Sequence, residues 1–292
     1  MSEAPLGEIL LSTDGSEDAA LAARAAVDLC GRLGAGLHVV HVWHDIPSPH
    51  ARGFIRRELE RQGREVLEAE VRRVEELGGK VAGAHLREGR SVETVLKLAE
   101  ELRADLIVVG SRGLGTLKRL ALDSVSEGIA HRAACPVLVL RDGEAWPPQR
   151  VVAGDDGSHE ARSAVELAAR FAETFGAELI LVRSHPALSL PARSDRDLTE
   201  RREEELLRDA GTALEERSAE LSKGGRELRI RVRPFVGDAA TSIIRTAEEG
   251  PGCALIAVGA RGPGTIDRGR LGSVSTKVLR AARCPVLVVP GG

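Results

Sequence analysis

Tyrosine is absent from the chain, and aromatic residues of any kind make up only 2% of it. Without rings to stack on, neither a single-strand binding groove nor an RNA-recognition sheet can hold bases. An excess of positive charge is missing too: 41 Lys+Arg stand against 44 Asp+Glu, a formal net charge of −3. Nothing steers nucleic acid or anionic lipid toward such a surface, so neither is expected as a partner. No apolar run reaches the ~18 residues of a membrane-crossing helix. The opening MSEAPLGE lacks the basic start and apolar core of a secretory signal, and a cytoplasmic location is expected. The four cysteines, Cys30, Cys135, Cys253 and Cys284, are scattered and contain no CxxC pair. That excludes a zinc knuckle and a disulfide framework and leaves them as small buried apolar groups.

What the chain does have is a repeat. Its 292 residues, 42% hydrophobic and 29% charged, suit a globular protein of about two domains. ILLSTDGSEDAALAARAAVDLC at Ile9 returns as VVAGDDGSHEARSAVELAARFA at Val151, which aligns Asp14 with Asp156. DLIVVGSRGLGTLKRLALDSVSEGIAHRAACPVLVL at Asp105 returns as ALIAVGARGPGTIDRGRLGSVSTKVLRAARCPVLVV at Ala254. The expected organisation is a first domain over 1–141, a linker over 142–150 holding Pro147 and Pro148, and a second domain over 151–292.

Within the first copy, Ile9–Thr13, Gly36–Val42, Val81–Leu86, Asp105–Gly110 and Pro136–Leu140 are short Val/Ile/Leu-rich runs that predict strands. Between them lie helical patterns. From about Arg52 to Leu77 the residues Ile55, Leu59, Val66, Val74 and Leu77 recur at helical steps, with Arg and Glu on the solvated face. Apolar strands alternating with helices predict a parallel sheet covered on both sides, hence two doubly wound α/β domains.

Ligands of open α/β sheets sit beyond the carboxyl ends of the strands, where the winding reverses. Two sets of residues fall there. Asp14-Gly15-Ser16 and Asp156-Gly157-Ser158 place a carboxylate after the first strand of each copy, where it can accept ribose hydroxyls, or can form a turn whose serine caps the next helix. After the fourth strand come Gly110-Ser111-Arg112-Gly113 and, further on, Asp123-Ser124-Val125-Ser126; the second copy reads Gly259-Ala260-Arg261-Gly262, then Gly272-Ser273-Val274-Ser275. Glycines admit phosphate oxygens to backbone N–H groups, and the helix start that follows adds unpaired donors. Ser124 with Glu127 also fits a capping box that needs no ligand. Neither G-x-x-x-x-G-K-[ST] nor a full G-x-G-x-x-G is present.

The spacing Gly110, Gly113, position 123, Ser124, matched fully by Gly259, Gly262, Gly272 and Ser273, closely resembles the G-x2-G-x9-G-[ST] motif of the universal stress protein family. With the Asp-Gly-Ser turns and the Cys-Pro-Val-Leu-Val endings at Cys135 and Cys284, the resemblance spans nearly the whole chain and is to a tandem member. It implies two flavodoxin-like domains of the adenine nucleotide alpha hydrolase-like kind, each with a five-stranded parallel sheet ordered 3-2-1-4-5. It also implies ATP or another adenine nucleotide as ligand, with Mg2+ accompanying the phosphates. In the first domain Ser12, Asp14 and Val42 would face adenine and ribose, with Val109, Gly110, Gly113, Ser124, Val125 and Ser126 around ribose and phosphates. In the second these become Gly154, Asp156, Ser184, Val258, Gly259, Gly262, Gly272, Ser273, Val274 and Ser275. Two positions depart from the family pattern: Asp123 stands where the motif has glycine, and Ser184 where it has valine.

His38, His41 and His44 suggest a metal site only at first sight, because on a strand 38 and 44 share a face that 41 does not. No serine has a paired base in both copies, so no catalytic residue and no metal ligand are assigned. The expectation is a stress-response protein that binds ATP and acts through nucleotide-dependent conformation or assembly, with slow hydrolysis at most. Two other readings stay open: a nucleotide-free dimerisation module of the same fold, and an enzyme that cleaves ATP at its α-phosphate. The apolar endings at Pro136 and Pro285 predict sheet edges through which the halves pair about a pseudo-twofold axis, and whole chains can dimerise further.

Overall fold

The computed structural model describes residues 6–44, 52–111, 124–141, 146–187, 196–223, 227–262 and 271–291. The chain divides into two compact units, Met1–Trp146 and Pro147–Gly292. The first runs β1 (Glu8–Thr13), α1 (Glu17–Leu33), β2 (Gly36–Trp43), α2 (Arg52–Glu76), β3 (Val81–Glu88), α3 (Ser91–Leu102), β4 (Leu106–Gly110), α4 (Ser124–Arg132) and β5 (Val137–Leu140). The second repeats the order as β6 (Arg150–Gly154), α5 (His159–Phe175), β7 (Glu178–His185), α6 (Arg196–Ser222), β8 (Arg229–Val236), α7 (Ala239–Glu248), β9 (Ala254–Gly259), α8 (Ser273–Ala281) and β10 (Val286–Val289). Strand order is β3-β2-β1-β4-β5 in the first unit and β8-β7-β6-β9-β10 in the second. All the pairs within each unit are parallel.

The two-sided burial predicted for the strands is present: Ile9, Leu10 and Leu11 of β1 and Leu106, Ile107 and Val108 of β4 are fully buried. Helix α1 covers them with a small face, Ala19, Ala22, Ala23 and Ala26, that lets it lie close to the sheet. Its limits are chemical. The Ser16 hydroxyl accepts the Ala19 N–H at the start, and Gly34 closes the end at φ +70°, a left-handed conformation natural to glycine. Ser158 and Gly176 do the same for α5.

Some strand limits differ from the sequence reading for identifiable reasons. β3 runs two residues further, because Arg87 and Glu88 go on pairing with Val42 and Trp43 although their side chains are polar. β4 starts one residue later, since the Asp105 carboxylate accepts the N–H groups of Gly7 and Glu8 at 2.7 and 3.0 Å. Among the described residues no helix is long and apolar enough to cross a membrane. In both units the winding reverses between the first strand and the fourth, which opens a crevice at their carboxyl ends.

Candidate functional site

The first strand of each unit runs into the Asp-Gly-Ser turn. Gly15 and Gly157 adopt φ +81° and +83°, a turn geometry that a side chain would strain. Asp14 Oδ1 accepts the Ser16 N–H at 3.0 Å and Asp156 Oδ1 the Ser158 N–H at 2.9 Å. One carboxylate oxygen thus closes the turn, and both aspartates line the crevice of their unit.

At the fourth strand the glycines have distinct tasks. A Cβ on Gly259 would lie 2.8 Å from the Glu160 carbonyl carbon and 2.9 Å from the Ala161 nitrogen, so β9 ends pressed against the first turn of α5. Gly110 touches Asp18 and Ala19 in the same way. Gly262 leaves room for a carboxylate: a Cβ there would sit 2.7 Å from Asp156 Oδ2. Gly272 is the N-cap of α8 and supplies no side-chain acceptor, which leaves the N–H groups of the first turn to other partners. Ser275 donates its hydroxyl proton to the Gly259 carbonyl at 2.6 Å, and Ser126 donates to that of Ser111 at 3.3 Å. These serines tie the helix head to the strand end, and the exposed Ser273 is the hydroxyl that faces out.

In the second unit these parts enclose a cleft of about 250 Å3, near the low end of the small-molecule range. Gly154, Asp156, Ser184, Val258, Gly259, Gly262 and the run Gly272, Ser273, Val274, Ser275 all line it. Ser184 donates to the Gly237 carbonyl at 3.0 Å, so its polar atom is already engaged and the wall it gives the cleft is narrower than valine would make. The first-unit crevice is lined by Ser12, Asp14, Val42, Val109, Gly110, Val125 and Ser126. Ser124 lies exposed at the head of α4 rather than among them, and Gly113 and Asp123 fall outside the described residues.

Sequence reasoning missed other lining residues. Ile243 of α7 supplies an apolar wall, Arg261 a cation and Asp155 a buried carboxylate in the second cleft, while Ser91 of α3 reaches the first. Ile243 and Ser91 belong to helices remote in sequence from the motif. Asp155 is one half of the dipeptide Asp155-Asp156, where only the second residue repeats between the copies.

The histidines go elsewhere. His41 Nδ1 lies 2.9 Å from the Thr13 carbonyl oxygen and His44 follows the end of β2, whereas His38 meets two unforeseen partners, Glu8 Oε2 at 3.0 Å and His85 Nε2 at 3.1 Å. The chain Glu8–His38–His85 is satisfied by neutral rings when His38 Nε2–H donates to the carboxylate and His85 Nε2–H donates to His38. Among the described residues no group of three or more side chains is placed to hold a metal. Burial, then His38 and Arg87, hold His85 below its usual value, with Glu101 opposing. The unfolded chain takes up that proton at a higher pH than the folded one, so stability is lost as pH falls through about 6.5. Urea unfolding at pH 7.5 and 5.5 is expected to show the first domain weakening with acid, and His85→Gln is expected to flatten that dependence.

The cysteines are half-buried rather than fully buried. Burial pushes the thiols of Cys30 and Cys135 up to about 12 and that of Cys253 to about 11, which keeps them protonated.

Comparison with known proteins agrees with this fold. The model of the universal stress protein family matches the chain twice, over residues 6–141 and 148–290. A universal stress protein of Mycobacterium tuberculosis strain H37Rv is 30% identical over 296 residues, covering 96% of each chain. A universal stress protein of Thermus aquaticus is 36% identical over 133 residues, 46% of this chain and 97% of its own. The crystal structure of a universal stress protein from Archaeoglobus fulgidus superposes with a TM-score of 0.73 at 25% identity, covering 98% of both chains.

Proposed function

The chain belongs to the universal stress protein family, and we propose that it binds an adenine nucleotide, ATP first among them, in the second domain's cleft. The observation that carries this reading is the convergence there of a ribose-type carboxylate, Asp156, and an uncapped helix head at Gly272-Ser273. The adenosine moiety occupies the cleft between Ile243, Val258 and Asp156. The phosphates run toward the first-turn N–H groups of α8, where the helix dipole favours an anion. Magnesium accompanies the phosphates. Among the described residues no side chain of the cleft is arranged to activate water, and the role proposed is one of signalling through nucleotide-dependent conformation or assembly, in the cytoplasm.

The first domain carries a carboxylate, Asp123, at the position that Gly272 occupies in the second. We place weaker ATP binding, or a preference for AMP, in that domain. Pairing of the halves through their last strands, and dimerisation of whole chains, belong to the same proposal and rest on the apolar endings of the two copies.

Calorimetric titration with ATP, ADP and AMP, with and without magnesium, tests the reading: one tight site per chain is expected, and no heat with any of the three would refute it. Asp156→Asn keeps an oxygen for the Ser158 N–H while removing the charge. It is expected to weaken ATP binding about tenfold, the loss of a charge-assisted hydrogen bond, at nearly unchanged thermal stability. Retained affinity with lost stability would leave Asp156 as a turn residue only.

A further inference from the structure

The residue just before each ribose-type aspartate is held by a set of side chains that differs completely between the two domains yet makes the same contacts. In the first domain Thr13 Oγ1 accepts the Gly15 N–H at 3.1 Å and donates to Glu70 Oε2 on α2 at 2.8 Å. The Thr13 carbonyl meets His41 of β2, and Glu70 accepts from Arg73 one helical turn on, at 2.8 Å. In the second domain Asp155 Oδ1 accepts the Gly157 N–H at 2.9 Å, and Asp155 Oδ2 accepts from Arg217 Nε on α6 at 3.3 Å. The Asp155 carbonyl accepts from Arg183 of β7 at 2.8 Å, and Arg217 donates to Glu220 one turn on. Thr13, His41, Glu70 and Arg73 thus correspond to Asp155, Arg183, Arg217 and Glu220.

Every charge in these quartets is matched inside its own set. Glu70 is 1% exposed and has Arg73; the Asp155 side chain is fully buried and has Arg183 at 3.1 Å as well as Arg217. The sign at the central helix position is inverted between the domains, Glu70 against Arg217; its partner one turn on is inverted with it, Arg73 against Glu220, and neutral Thr13 gives way to the anion Asp155. A buried charge left without its partner is strongly unfavourable, so these residues are exchangeable as a unit and not one at a time. The backbone N–H that each quartet fixes belongs to Gly15 or Gly157, and its neighbour in the chain is the aspartate of the cleft.

We infer that Arg217 and Glu70 are positioning residues for nucleotide binding, which act from the long helices α6 and α2 through Asp155 and Thr13 on the carboxylates of Asp156 and Asp14. This rests on the ribose role proposed above for those carboxylates. The helices are thereby mechanically joined to the cleft: any partner or modification that shifts α6 at Arg217 reorients Asp156.

The test compares ATP with 2′,3′-dideoxy-ATP, which has no ribose hydroxyls, in full-length chains that carry Asp14→Asn so that the second cleft reports. The parent is expected to prefer ATP by about tenfold, one charge-assisted hydrogen bond. Arg217→Met is expected to shrink that preference to about twofold while the affinity for the dideoxy compound hardly moves. The combined Asp155→Thr, Arg183→His, Arg217→Glu and Glu220→Arg chain is expected to restore it to within about threefold of the parent. Should Arg217→Met fail to fold, Arg217→Lys gives the same comparison. An Arg217 variant that keeps the full preference, or a folded quartet exchange that has lost it, overturns the positioning role. A parent that binds both nucleotides equally overturns the ribose role itself, and with it this inference.

Discussion

Gly259→Ala is expected to destabilise the second domain by about 1–3 kcal/mol, the usual cost of forcing a methyl group into a filled interior, and toward the upper end of that range. The groups that would have to yield are backbone, the Glu160 carbonyl carbon and the Ala161 nitrogen at 2.8 and 2.9 Å, and neither can rotate aside as a side-chain tip would. β9 and the head of α5 must separate by several tenths of an ångström. Because that turn of α5 follows directly on Asp156-Gly157-Ser158, the proposed nucleotide binding is expected to weaken along with stability. Gly272→Ala is the control within the same motif. Among the described residues its Cβ would meet nothing nearer than the Arg261 Cα at 3.5 Å and its φ is −63°, so only the weaker N-cap preference of alanine counts, a loss of about 0.5–1 kcal/mol. Urea unfolding of the two variants decides the matter: equal losses would mean that the β9–α5 approach is not what requires glycine at 259.

Gly272→Asp is expected to separate stability from binding, raising one and lowering the other. An aspartate fits the space and the backbone conformation, and it gives α8 the side-chain cap it lacks, worth a few tenths of a kcal/mol over glycine. With ATP bound as proposed, the same carboxylate would face the polyphosphate. Two unit charges ~4 Å apart at an effective dielectric of ~20 repel by about 4 kcal/mol, which exposure and salt reduce to about 1–2 kcal/mol. Without metal, ATP binding in the second domain therefore weakens about tenfold. Magnesium shared between the introduced carboxylate and the phosphates would offset the repulsion, so the loss is expected to shrink or reverse when the metal is added. Calorimetry beside a thermal melt reads both quantities. Unchanged ATP affinity in a more stable protein would show that the phosphates do not lie against α8.

Much of this architecture was legible because the strands are almost purely apolar and the copies repeat in order. The apolar runs placed β1, β2 and β5 to within a residue or two, and failed for β3 only where Arg87 and Glu88 continue a strand without apolar signal. The motif glycines located the cleft but not their own reasons. Gly259 reads as phosphate access, and the structure adds a strand–helix contact that by itself requires glycine there. His85 was invisible as a partner of His38, since register across β2 and β3 brings together residues 47 apart. Asp155 and Arg217 escaped for a subtler cause: the repeat draws attention to positions that agree between copies, and the quartets disagree at every one of theirs.

That disagreement also constrains history. If the halves descend from one duplicated ancestor, no single replacement leads from the Thr13 set to the Asp155 set without stranding a charge in a dry interior. The crossing is passable only by way of neutral residues at the helix position, or by paired changes on α6 and β7 held together. The two sets therefore behave as linked characters. Recombination that breaks the chain between the first strand and the following long helix would produce offspring that inherit one half of each lock, and selection would remove them. Chimeras assembled between the two halves, or from a relative with the opposite set, should respect that junction.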